Sequence, residues 1–183
     1  MSEQNADATD AGERTFCVGV VTIAADRDLA SDEAGKAVVT GFEAEGHEIA
    51  MREHVGPDYD KVQSIVERMI DRDDVDFVVT AGATSIEPED VTLDAVEPLL
   101  EQEITAFDEL FTQIGYELIG SQIVATRTLA GVSEQVLVFC LPGDPDAASL
   151  AIEDIILPEA AALVDLARED RTADDDDDVN GDE

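Results

Sequence analysis

Basic residues are scarce in this chain. Ten of 183 are Lys or Arg, against 45 acidic residues, for a net charge of −35 and a pI near 4.1. A phosphate backbone would be repelled at long range, and no basic stripe is present to drive counterion release, so nucleic acid is excluded as a partner and anionic membranes with it. Cysteine is almost absent: Cys17 and Cys140 each lie inside an apolar, strand-like run. Two thiols make neither a disulfide framework nor a zinc site, and both are expected to be buried and reduced. No apolar run approaches the roughly 18 residues of a membrane span. The first fifteen residues lack the basic start and apolar stretch of a secretion signal, so a cytoplasmic location is expected. Neither G-x-x-x-x-G-K-[ST] nor G-x-G-x-x-G occurs, which excludes a P-loop NTPase and a standard dinucleotide binder. No Ser or Cys nucleophile with a neighbouring base stands out, so acyl transfer has no support.

What the chain does have is enough apolar content, 44%, for one packed domain. The acidity is not confined to the ends. Residues 1–14 hold four acids against one base and residues 169–183 nine acids against one base, so residues 15–168 keep a net charge of −24. Self-repulsion of that size is tolerable where salt shortens the Debye length to roughly 3 Å at 1 M, and a high-salt cytoplasm is the simplest setting for it. The two ends, 1–14 and 169–183, show no periodicity; the second contains an unbroken run from Asp174 to Asp178, and both are expected to be disordered.

Between them, strand-like and helix-period segments alternate, as in an α/β domain with a mainly parallel sheet. Strands are expected over 16–24, 47–55, 76–80 and 136–141. Helices are expected from Glu33 to Gly46, from Asp58 along the apolar face Val62, Ile65, Val66, Met69 and Ile70, over 93–118, and from about Asp146, with a kink or restart at Pro158. Residues 119–131 are ambiguous. His47 and His54 sit at odd spacing in one strand, an arrangement that does not favour a shared metal.

Small-residue turns follow two strands: Ala81-Gly82-Ala83-Thr84-Ser85 and Pro142-Gly143-Asp144-Pro145. Such turns at carboxyl ends of strands are where α/β folds place ligands. Asp58 and Asp90 lie at that same edge. Each could hold Mg²⁺ against phosphates, but with 45 acids in the chain some Asp falls at any helix start, and on spacing alone each reads first as a helix cap.

Taken together, these segments resemble the MoaB/Mog family of molybdenum-cofactor biosynthesis proteins. Thr80-Ala-Gly-Ala-Thr-Ser-Ile-Glu-Pro-Glu-Asp-Val-Thr92 is similar to its T-x-G-G-T-G-x-x-x-R-D-V-T signature. Asp32…Gly35-Lys36, Gly56-Pro57-Asp58, Gly115 to Gly120, Thr126-Arg127, Ala130-Gly131 and Leu141-Pro-Gly-Asp-Pro145 keep the family's order and spacing, over about residues 15–168. The resemblance implies a three-layer αβα domain and a homotrimer or homohexamer. It implies transfer of AMP from ATP to the terminal phosphate of molybdopterin, with Mg²⁺. It casts Asp58 and Asp90 as catalytic and metal-binding residues, and Thr80, Gly82, Thr84, Ser85, Thr126, Pro142, Gly143 and Asp144 as substrate-binding ones. Four positions depart from the family: Ala83 and Ser85 stand for Gly, Glu89 for Arg and Asp144 for Ser. A Cβ where φ is positive is strained, and a carboxylate in place of a guanidinium repels phosphate. Those departures leave a second reading open, a non-catalytic member that binds a pterin or a partner protein.

Overall fold

The computed structural model describes residues 14–26 and 28–168. Apart from Arg14, the end segments 1–14 and 169–183 lie outside the described residues.

Six strands form one sheet in the order β2-β1-β3-β6-β5-β4. The four strands β1 (Cys17–Ile23), β2 (Glu48–Val55), β3 (Phe77–Ala81) and β6 (Val136–Leu141) run parallel, while β5 (Leu129–Ser133) and β4 (Gln102–Glu103) continue the sheet antiparallel. Period-two alternation explains the burial of the central strands on both faces. Val18, Val20, Phe77, Val79, Leu137 and Phe139 pack against one helical layer, made of α1 (Glu33–Ala44), α4 (Thr105–Ile119), α5 (Pro145–Leu150) and α6 (Leu157–Arg168). Val21, Val78, Val136, Val138 and Cys140 pack against the other, made of α2 (Tyr59–Ile70) and α3 (Thr92–Val96). This is the expected three-layer αβα domain with a mainly parallel sheet.

All six phenylalanines of the chain, Phe16, Phe42, Phe77, Phe107, Phe111 and Phe139, lie in the first of these cores. Phe139 meets Phe107 edge-on at 5.1 Å between centroids. Truncating such a ring to Ala costs about 3–5 kcal/mol. The expected apolar face of α2 is buried in full.

Two expectations need correction. Residues 93–118 are not one helix. After α3 the chain tightens into a 3₁₀ turn over Glu97–Leu99 that contains Pro98, which has no N–H to continue a helix, and then enters β4 before α4 begins. The N–H groups of Glu101 and Ile104 donate to Val132 and Ala130 of β5, so pairing with the sheet replaces helical bonds there. Cys17 is also only half-buried, at the amino end of β1, whereas Cys140 is buried. The final helix runs from Pro145 to Arg168, and its ladder loosens into a π turn over Ala151–Ile156, just ahead of Pro158. Pro158 cannot donate to the carbonyl one turn back, and a π turn is one way a helix absorbs that loss without breaking.

Candidate functional site

Because β1, β2, β3 and β6 are parallel, their following loops gather at one edge, and the strand order reverses between β1 and β3. That reversal opens the crevice in which open α/β sheets bind ligands. Gly82 enters it directly from β3 with φ +108°, and a Cβ there would lie 2.2 Å from the Ile23 carbonyl oxygen of β1, so only glycine fits. Its N–H donates to the Leu141 carbonyl at 3.0 Å, and its carbonyl accepts the Thr92 hydroxyl at 2.9 Å. On the neighbouring loop, a Cβ added to Gly143 would be 3.2 Å from the Gly82 Cα. The turns after β3 and β6 therefore touch.

Ala83 adopts φ +53°, the left-handed region, as the strain argument expects. Ser85 does not: no positive φ is found there, and its side chain has a use. Its N–H and hydroxyl both donate to Asp90 Oδ2, at 2.8 and 2.5 Å. Asp90 is therefore not a helix cap, since α3 starts at Thr92 with no side-chain cap; it closes the 85–90 loop instead. Asp58 is a cap: its Oδ1 accepts the Lys61 N–H of α2 at 3.0 Å. It stands on the far side of β1 from the Gly82 loop, because β1 lies between β2 and β3.

Thr126, Pro142 and Asp144 share a cavity of about 680 Å³ between α4, its following 3₁₀ turn and α5. Phe111, Ile123 and Leu150 supply apolar wall, and Asp144, Asp146, Glu153 and Asp154 ring it with carboxylates. Asp144 Oδ1 caps α5 by accepting the Ala147 N–H at 2.9 Å. Thr84 is buried beside the crevice. Thr80 is fully buried and pairs with Cys140 on the face toward α2 and α3, away from this cavity, and its hydroxyl makes no hydrogen bond of ordinary geometry. The site residues thus form a crevice group (Gly82, Ser85, Asp90, Gly143) and a cavity group (Thr126, Pro142, Asp144), with Asp58 apart from both.

One buried carboxylate supports the crevice without having been expected as a site residue. Asp32 has no exposure; it caps α1 through the Gly35 N–H at 2.8 Å and accepts from the Thr22 hydroxyl and from Arg52 Nη2 at 3.3 Å. A Cβ on Gly35 would fall 1.9 Å from Asp32 Oδ2, which is why Asp32 and Gly35 go together in the sequence. The acidic wall of the cavity was also not legible, because Asp146, Glu153 and Asp154 look like any exposed helical acids; their spacing along one helix is the only signal. Both thiols are shifted away from the thiolate form. Burial pushes Cys140 up to about 12. Partial burial, then Asp76 and Glu48, hold Cys17 above its ordinary value. Among the described residues no group of three or more His, Cys, Asp and Glu is placed to hold a metal, and no helix is long and apolar enough to cross a membrane.

A three-layer α/β domain with glycine-bearing loops meeting at the switch point of a parallel sheet is a small-molecule-binding class of protein. The sequence profile of the family described as "probable molybdopterin binding domain" matches residues 16–162. The chain belongs to that family, within its MoaB/Mog branch. It is 35% identical over 153 residues to molybdenum cofactor biosynthesis protein B of Bacillus subtilis, covering 83% of this chain and 90% of the relative. A crystal structure of a molybdenum cofactor biosynthesis protein B superposes with a TM-score of 0.83 at 34% identity, covering 86% of this chain and 98% of that one. The tungsten cofactor synthesizing protein MoaB from Pyrococcus furiosus superposes at 0.76 with 30% identity, covering 85% and 99%.

Proposed function

We propose that this protein acts in molybdenum or tungsten cofactor biosynthesis and adenylylates molybdopterin with Mg-ATP. The observation that carries the reading is the state of two carboxylates at the carboxyl edge. Asp58 and Asp90 each commit one oxygen to fixed local bonds, and among the described residues the other oxygen of each accepts none. A carboxylate held in place by one oxygen and open at the other fits Mg²⁺, which takes one or two carboxylates together with substrate phosphates and water. When bound, the ion would neutralise charge on the phosphates.

In this reading a terminal phosphate oxygen of molybdopterin attacks the α-phosphorus of ATP. The new P–O bond forms as the bond to the β-phosphate oxygen breaks, and pyrophosphate leaves. No covalent enzyme intermediate is needed, in keeping with a Cys140 thiol that burial raises to about 12 and a Cys17 thiol that partial burial and neighbouring carboxylates hold above its ordinary value. The protein's part is to position: Gly82 and Gly143 let backbone approach the ligand, and the Ser85–Asp90 contact fixes the loop. Incubation of the full chain with molybdopterin, ATP and Mg²⁺ in molar KCl, following adenylylated pterin, tests it; the absence of product would overturn it.

A second reading has its own observation. Ala83 is held at φ +53° and four carboxylates ring the cavity, features that favour a member that binds a pterin or a protein without turnover. Pterin binding in that assay without AMP transfer would establish it. A homotrimer or homohexamer is part of both readings. Leu110, Tyr116, Leu118, Ile119 and Val124, on α4 and the turn after it, are exposed, with Val124 at 86%, and a second copy would cover side chains of this kind. Light scattering in molar KCl that gives a monomer would remove it.

A further inference from the structure

Eight cationic side chains fall among the described residues. Six of them, Arg14, Lys36, Arg52, Arg68, Arg72 and Arg168, are engaged in ion pairs with carboxylates. In a domain this rich in acid, a cation without a partner is the exception. Lys61 and Arg127 are the two, and both lie at the carboxyl edge, Lys61 in the first turn of α2 and Arg127 just ahead of β5.

Arg127 is the better placed. β5 pairs antiparallel with β6, with Leu129 opposite Cys140, so the residues just before β5 run alongside the Pro142–Asp144 turn. The strand's alternation fixes the faces: Ala130 and Val132 pack toward α4, and Leu129 packs toward α2 and α3. Thr126 lines the cavity and Thr128 donates to Asp108 of α4 at 2.7 Å, both on the α4 face. Thr126 is extended, so with Thr126 and Thr128 both turned toward α4 the Arg127 side chain leaves the chain on the other side, beside the Pro142–Asp144 turn. It is exposed there. The Pro142–Asp144 turn touches the Gly82 loop, which carries Glu87, Glu89 and Asp90.

We propose that Arg127 is the residue of this site that binds the substrate's phosphate groups. A ligand carrying several phosphate charges is repelled by these carboxylates wherever a bound Mg²⁺ would not offset them, and a guanidinium with no carboxylate partner among the described residues is free to take phosphate oxygens in pairs. The inference rests on the phosphate-bearing substrates proposed above, and its test is separable from them.

The full chain and the variants Arg127→Gln, Arg127→Lys and Arg72→Gln are titrated with inorganic tripolyphosphate in molar KCl with Mg²⁺, by calorimetry. Neopterin, a pterin without phosphate, is the neutral probe. Arg127→Gln weakens tripolyphosphate binding at least about tenfold, Arg127→Lys falls between it and wild type, and neopterin binding is unchanged. Arg72→Gln, which removes the same charge from a side chain paired with Asp74 far from the site, leaves both unchanged. The inference is overturned if wild type binds no tripolyphosphate, if Arg127→Gln binds it as wild type does, or if Arg72→Gln weakens it equally. Arg127-dependent binding without AMP transfer would instead overturn adenylylation alone, and AMP transfer with an unchanged KM for ATP in Arg127→Gln would overturn the inference alone.

Discussion

Ser85 donates two hydrogen bonds, one from its N–H at 2.8 Å and one from its hydroxyl at 2.5 Å, to the same carboxylate oxygen of Asp90. That contact separates two departures from the family signature that look alike in the sequence. Ala83 has the positive φ at which a Cβ is strained, whereas Ser85 has none and uses its side chain to hold the loop shut. Opposite effects follow. Ala83→Gly stabilises the fold by about 1 kcal/mol, since a non-glycine residue in the left-handed region costs roughly 1–2 kcal/mol. Ser85→Gly destabilises it by about 1–2 kcal/mol through loss of a hydrogen bond to a charged group. Denaturant melts of the two variants in molar KCl check this, and a loss of stability in Ala83→Gly would contradict the strain argument.

Where periodicity and burial coincide, the fold is legible in the residues. The apolar stripe from Val62 to Ile70 reads as a helix face and is one, and the run Val136–Leu141 is a strand from end to end. The antiparallel extension is not legible. Its hairpin turns at Glu134 and Gln135, both at positive φ, with none of the Gly or Asn that signals such a turn. Of the site, the small-residue turns and Asp58's capping role are readable from spacing. Asp90's partner is not, because a loop-closing bond to Ser85 leaves no periodic trace. The cavity beside Thr126 is not readable either, since it needs α4 and α5 brought together by the core.

Charge governs the conditions under which the domain folds. Residues 15–168 carry a net −24, and that repulsion has to be screened. The midpoint of thermal unfolding is expected to rise steadily from dilute buffer to several molar KCl. A midpoint indifferent to salt would remove the salt-adapted interpretation of the composition.

His47 adds a pH dependence of its own. It lies just before β2, its Nδ1 accepts the Phe16 N–H at 3.1 Å, and its ring rests against Phe16 at 5.1 Å between centroids. Burial holds its pKa below the ordinary 6.5, although Glu45 and Asp76 pull the other way. The folded state therefore binds fewer protons than the unfolded one. The contribution is fully present above pH 6.5 and is lost as pH falls below that value toward the folded-state pKa. Wild type and His47→Asn, which keeps an acceptor but does not titrate, are expected to draw together in stability between pH 7.5 and 5.5. A constant difference across that range would show that His47 does not titrate with unfolding.

The two open carboxylates give the sharpest test of the proposed reaction. Asn in place of Asp58 keeps an oxygen to cap α2, and Asn in place of Asp90 keeps an oxygen to accept both bonds from Ser85. Neither substitution removes a packing contact, and Asn caps a helix about as well as Asp, so melting is expected to change by only about a few tenths of a kcal/mol. Each does remove the negative charge that would face a metal ion and the phosphates it holds. In the AMP-transfer assay turnover is therefore expected to fall by about a hundredfold or more in each variant, at unchanged fold. If wild type turns over and both Asn variants keep pace with it, the carboxylates serve only as the cap and the loop clasp, and the chemistry lies with other residues of the crevice. If one variant alone loses turnover, the metal is held from that side of β1, because β1 separates the loop of Asp58 from the loop of Asp90.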